Sequence, residues 1–150
     1  MLLNFRLHPR LKEDCHLLGW LDRSYLLLSR NALFPWFILV PETEETEFHE
    51  LEPIAQAELL DQINLLARFV ATEYPIDKMN IGMIGNIVSQ LHVHLVGRNH
   101  RDSCWPGVVW GYDGFKPYPP DEVERTVDRL IAAIPGRFRA WRAEATIGQK

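Results

Sequence analysis

Between Ser89 and Arg98 the chain reads Ser-Gln-Leu-His-Val-His-Leu-Val-Gly-Arg, with apolar side chains alternating with imidazole and amide groups at a period of two. That period belongs to a β-strand and not to a helix. A strand over residues 89 to 96 turns Leu91, Val93 and Leu95 into a core and brings Gln90, His92 and His94 out together on the opposite face. The three nitrogen-bearing groups then stand about 7 Å apart, two residues of rise per step. Imidazole is the side chain whose ordinary pKa lies near neutrality, so two on one rigid face point to proton transfer, nucleophilic attack or metal ligation. The plainer alternative is histidine on the solvated face of an antiparallel strand.

The rest of the chain supplies partners for that strand. Residues 14 to 21 and 24 to 29, separated by Asp22-Arg23, predict two strands joined by a tight turn. Trp36 to Val40, aromatic and β-branched and bounded by Pro35 and Pro41, predicts a third. The acidic run Glu42 to Glu47 is a solvated loop that repels anions. Pro53 opens a long helix to about Glu73, with Leu59, Ile63, Leu66 and Val70 at helical spacing and Pro75 as its stop. A fourth strand is expected over 78 to 85, with Gly85-Asn86 turning the chain into the histidine strand and the two pairing antiparallel. An aromatic loop with Trp105, Pro106, Gly107 and Trp110 follows, of the kind that often lines sites. Val123, Val127, Leu130 and Ile134 mark a C-terminal amphipathic helix over about 121 to 134. Three strands, a helix, two strands and a helix, without βαβ alternation, give an α+β fold built on an antiparallel sheet of about five strands.

At 150 residues one domain is expected, and no stretch approaches the roughly 20 apolar residues of a membrane helix. The N-terminus lacks the pattern of a secretory signal, so the expected location is cytoplasmic. Cys15 and Cys104 are far apart and outside any C-x-x-C pair, and both are read as reduced thiols. A net charge of −4 disfavours bulk nucleic acid while leaving room for a local pocket for a small phosphate ester. The chain has neither of the glycine-rich phosphate loops, so a nucleotide would be held in another way.

Taken together, strand 35 to 41, the long helix and Gly85 to Val96 resemble the histidine triad (HIT) superfamily over roughly residues 14 to 111, leaving the C-terminal helix as an extension. The signature His-φ-His-φ-His-φ-φ, φ being apolar, is met by Gln90-Leu91-His92-Val93-His94-Leu95-Val96 at every position except the first. Gly97-Arg98 and Trp105-Pro106-Gly107 look like further family elements, the latter like the Trp-Pro segment of its phosphoramidase branch. The resemblance implies a HIT-like fold with one long helix packed on the sheet and the C-terminal helix after it. It also implies catalysis: His92 attacks the α-phosphorus of a nucleoside phosphoanhydride or phosphoramidate, and water resolves the nucleotidyl-histidine. A backbone carbonyl accepting from the far ring nitrogen would point the lone pair outward. His94 would stabilise charge on the phosphate oxygens.

By position in the family pattern, Asn31 corresponds to the residue that holds ribose hydroxyls and Asn86 to the one that holds phosphate, and Arg98 would neutralise phosphate charge. Each has a plainer reading: Asn31 and Asn86 as turn residues, Arg98 as a surface cation. His8, His16 and His100 are read as isolated histidines outside the site. Three departures stand out. Gln90 hydrogen-bonds but is no acid near neutrality, Trp36 stands where many members carry histidine, and Ile87 stands where a serine often precedes the triad.

The leading reading is therefore a HIT-type nucleotide hydrolase or transferase. No cofactor is expected to be tightly bound, although a divalent cation could accompany the nucleotide, and the resemblance implies a homodimer. The second reading is a non-catalytic nucleotide-binding or regulatory module on the same fold. The third is a His-x-His metal site, which lacks a third ligand at a telling spacing.

Overall fold

The computed structural model describes residues 4–142. Its centre is a six-stranded, wholly antiparallel sheet made of β1 (Cys15–Leu21), β2 (Ser24–Ser29), β3 (Trp36–Val40), β4 (Lys78–Gly82), β5 (Val93–Arg98) and β6 (Phe138–Ala140). The spatial order is β4-β5-β3-β2-β1-β6. Three helices complete it: α1 (Pro9–Asp14), α2 (Pro53–Glu73) and α3 (Pro120–Ala133), with a 3-10 turn at Phe48–Glu50. Among the described residues no helix is long and apolar enough to cross a membrane.

Period-two alternation divides the sheet residues between two faces. Leu18, Leu21, Leu26, Leu28, Phe37, Leu39, Val93 and Leu95 lie against Leu59, Ile63, Leu66, Phe69 and Val70 of α2 and Leu130 of α3. These are the positions the helical and strand periodicities select. On the other face Leu27, Ile38 and Val40 pack with Cys15, Leu11 of α1, Leu7 and Val88. That layer is thin, and it leaves the cleft described below.

The histidine strand begins at Val93, four residues later than the alternation predicts. The register pairs Leu39 with Val93 and Ile38 with His94, so its continuation would set Pro41 opposite Leu91. Proline has no N–H for the ladder, and pairing stops there. Gln90, Leu91 and His92 therefore approach the sheet as irregular chain, although Leu91 still enters the core at 4% exposure.

The sequence reading lacks α1 and β6. The first is six residues long, capped by His8 Nδ1 accepting from the Arg10 N–H and started by Pro9. The second is three residues long and pairs with β1 at a bulge, where the register shifts between Leu17 and Gly19. Glycine is required there because a Cβ at position 19 would overlap the carbonyl oxygen of Arg139. Gly19→Ala is expected to cost about 1–3 kcal/mol through this overlap and to expose the β6 amides. Urea unfolding and amide exchange measure both, and unchanged protection of residues 138–140 would contradict the account.

Candidate active site

On the α1 side of the sheet a cleft of about 780 Å³ opens between α1, the ends of β1 and β2, the 84–88 turn and the 109–115 loop. His92 and His94 lie in its wall with Trp36, Ile38, Trp110 and Tyr112. Both histidines are nearly buried, at 6% and 8% exposure. Their rings meet edge to face, with centroids 4.8 Å apart.

Each ring has its tautomer set by a partner of unambiguous chemistry. His92 Nδ1 lies 2.6 Å from the Gln90 backbone carbonyl. A carbonyl only accepts, so Nδ1 carries the proton and Nε2 keeps its lone pair. His94 Nδ1 lies 3.0 Å from Trp36 Nε1. An indole only donates, so here Nδ1 is the acceptor and Nε2 bears the hydrogen. The result is a nucleophile-ready imidazole beside one poised to donate a hydrogen bond. Trp36 reaches His94 because β3 and β5 pair, with Ile38 opposite His94 and Trp36 one same-face step away. Trp110 closes over both, edge-to-face with His94 at 5.6 Å and with Trp36 at 6.3 Å.

Burial, then the neighbouring His92, pushes the His94 pKa down to about 4. The neutral ring is thus the folded form, and an unfolded histidine, at 6.5, binds a proton that the folded one refuses. Stability is therefore independent of this group above pH 6.5, falls as pH drops towards 4, and is lower by about 3 kcal/mol below that. Denaturant midpoints compared at pH 7 and pH 4.5 read the effect. His94→Asn is expected to flatten most of the slope, and an equal slope in that variant would assign it to the carboxylates.

Cys15 also lines the cleft but is no rival nucleophile. Burial, and then Asp14, raise its pKa to about 12, which keeps it a thiol. Among the described residues no group of three or more His, Cys, Asp or Glu could hold a metal ion, so His92-x-His94 stays without further ligands there.

The other residues singled out from the sequence separate. Asn86 is exposed in the cleft wall. Asn31 lines it too, but its amide organises the loop opposite: Nδ2 donates to Gly114 O at 3.0 Å, while Oδ1 accepts from the N–H groups of Leu33 and Lys116. Gln90 turns away from the cleft: Nε2 donates to Arg6 O and Oε1 accepts from the His8 N–H, both at 2.9 Å. The expectation that its side chain stands in line with His92 and His94 is therefore corrected. Residue 90 precedes the strand, and its amide pairs like a short ladder with the N-terminal segment.

Arg98 is likewise corrected from surface or phosphate cation to buried clamp. It is 1% exposed, lies outside the cleft wall and grips both oxygens of Asp102, at 2.7 and 3.0 Å, with Asn80 at 2.9 Å. Burial would raise the Asp102 pKa, but Arg98 and the Asn99 and Cys104 N–H groups more than reverse it, so Asp102 titrates below its ordinary value. His8 caps α1, His16 meets Arg30, and His100 pairs with Asp77 away from the cleft.

Arg10 and Arg30 enter the wall without having been expected there. Arg10 rides on α1, a helix too short for its periodicity to show. Arg30 follows β2, and its Nε donates to the Glu13 carbonyl at 2.8 Å.

A profile of the HIT domain matches residues 10–101. A histidine triad protein from Sinorhizobium meliloti 1021 superposes with a TM-score of 0.85 at 36% identity, covering 89% of this chain and 100% of its own. One from Bradyrhizobium japonicum gives 0.83 at 36% identity, covering 87% and 98%. One from Marinobacter aquaeolei VT8 gives 0.81 at 35%, covering 86% and 95%. A Hit-like protein from Bartonella henselae described as involved in cell-cycle regulation shares the fold alone, at 11% identity and a TM-score of 0.56. Curated proteins returned no match. With more than half of its length matched and relatives above 30% identity across most of it, the chain belongs to the histidine triad (HIT) family.

Proposed function

We propose that this protein is a nucleotide hydrolase or transferase that acts at the α-phosphate of a nucleoside phosphoanhydride or phosphoramidate through a nucleotidyl-histidine. The observation that carries this reading is the hydrogen bond from His92 Nδ1 to the Gln90 carbonyl, which directs the Nε2 lone pair outward in a ring that lines the cleft. In the proposed step Nε2 attacks phosphorus, an N–P bond forms, and the bond to the departing group breaks with its electron pair leaving on that group. The positive charge gained by the ring is met by the Gln90 carbonyl. Water then attacks phosphorus, the electron pair of the N–P bond returns to Nε2, and the water proton leaves to solvent. His94 Nε2–H donates to the phosphate oxygens, where charge concentrates.

Trp110, Tyr112, Phe115, Ile84 and Ile87 give the cleft an aromatic and apolar wall suited to the flat face of a base. Arg10 and Arg30 supply positive charge in the same wall, beside the Glu13 and Asp14 carboxylates. The reading includes no resident cofactor and no bulk nucleic acid. It includes a homodimer, supported by the sheet edge at β4, where Ile81 is 46% exposed and Met83, Ile84 and Ile87 follow it exposed. A free apolar edge is a surface that chains cover by pairing. Sedimentation equilibrium is expected to give twice the chain mass of 17.4 kDa, and a monomer at micromolar concentration would remove the dimer.

Engagement of the Gln90 and Asn31 amides in structural hydrogen bonds favours a second reading, a module that binds nucleotides without turnover. Mass spectrometry separates the two: the protein is mixed with an adenosine 5′-phosphoramidate and, separately, with a dinucleoside polyphosphate. Released AMP and a transient adduct on His92 support the enzyme. Saturable binding with neither product nor adduct supports the module.

A further inference from the structure

We infer that this site selects its substrate by how well the departing group is stabilised as an anion, taking phosphoanhydrides and acidic esters and turning over slowly those whose leaving group must be protonated as it departs. The inference rests on the nucleotidyl-histidine reading above and adds to it a rule for the other half of the substrate.

Its basis is the way the two motif residues flanking His92 are held. Gln90 has no acidic proton to give, and both ends of its amide are already bonded to the N-terminal segment, at Arg6 O and at the His8 N–H. His94 has its Nδ1 lone pair occupied by the Trp36 indole N–H at 3.0 Å. The neutral ring gives a hydrogen bond from Nε2, but it could release that proton only by becoming an imidazolate. To become an acid it must first take a proton at Nδ1, which requires displacing an indole that cannot turn into an acceptor. Burial works in the same direction, since the charged ring is disfavoured in this wall.

The other polar groups lining the cleft are arranged in keeping with this. Arg10 and Arg30 are cations with no usable proton, Glu13 and Asp14 are exposed on α1 with Asp14 3.5 Å from Arg10, Cys15 is buried, Ser29, Asn31 and Asn86 have no acidic proton, and the phenol of Tyr112 belongs to a ring packed edge-to-face on Phe34 at 6.0 Å. The elements packed against His94 present His92, Trp36 and Trp110. When the bond to phosphorus breaks, the electron pair thus stays on the leaving atom, which departs as phosphate, polyphosphate or an acidic phenolate. An alkylamine departing as its anion is far less stable.

The test uses two adenosine 5′-monophosphate esters of nearly one shape, 4-nitrophenyl and phenyl, with the alkylamine phosphoramidate as a third substrate. It reads kcat/KM, which reports the step that forms the adduct. General acid assistance is typically worth roughly 10²–10⁴-fold. Without it, the nitrophenyl ester is expected to react about 100-fold or more faster than the phenyl ester, with the amine slower still. Trp36→Phe frees His94 Nδ1 and is expected to narrow that ratio at pH 4.5, where a ring with a pKa of about 4 begins to take a proton. Adduct formation with kcat/KM values within about threefold of one another would show an acid at work and overturn the inference while leaving the His92 chemistry standing. So would an unchanged ratio in a Trp36→Phe variant that still turns over. Absence of adduct and of AMP from every substrate would instead overturn the underlying reading.

Discussion

His92→Ala is expected to abolish the nucleotidyl adduct and to lower turnover on the order of 10³-fold or more, because it removes the nucleophile and not a binding contact. That factor corresponds to about 4 kcal/mol of transition-state stabilisation. The fold is expected to survive. The ring lies in the cleft wall outside the hydrogen-bonded strands, and its loss removes one hydrogen bond to the Gln90 carbonyl, worth about 1 kcal/mol. Single-turnover mass spectrometry beside a thermal melt reads both quantities. Retained turnover would remove His92 from the mechanism, whereas a collapsed melt would make its role structural.

Arg98→Met is expected to give the opposite pattern, a loss of stability with turnover per folded molecule little changed. Its side chain and that of Asp102 are 2% and 7% exposed, and the guanidinium fork is matched to both carboxylate oxygens. The cation also sits over the rings of Phe34 and Trp105, at 5.5 and 5.7 Å. Removing one member of a buried pair strands the other charge, which typically costs about 3–5 kcal/mol. For a chain of this size the melting temperature would fall on the order of 10 °C. Arg98→Lys is expected to recover only part of this, since a point charge cannot span Asp102 and Asn80 together. A melt unchanged beside a weakened nucleotide KM would return Arg98 to phosphate binding.

The two residues differ in how they were read from the sequence, and the difference is physical. The role of His92 came from the resemblance of its motif, and the Gln90 carbonyl that sets its tautomer lies only two residues away, a local contact. Arg98 owes its role to Asp102, Asn80 and Phe34, which the loop after Arg98, the β4–β5 pairing and the β3–β5 pairing gather around it. A cation following a strand has no sequence mark that separates a buried clamp from a surface group. Trp36 shows the same limit. Its departure from the family pattern was visible, but its bond to His94 spans 58 positions and exists because β3 lies beside β5.

Strand-forming runs bounded by turn residues and prolines determined β1 to β4, helical spacing the stripes of α2 and α3, the order of elements the antiparallel class, and period-two alternation the pair His92 and His94. Apart from the order of elements, each of these follows from neighbours within a few residues. Tertiary structure decided the rest. It delayed the start of the histidine strand to Val93 because Pro41 cannot extend the ladder, and it added β6 where Gly19 lets a backbone approach. It also turned Gln90 to the N-terminal segment and brought Arg10 and Arg30 into the cleft wall. Those outcomes depend on contacts between segments far apart in the chain, and the register of the sheet sets them.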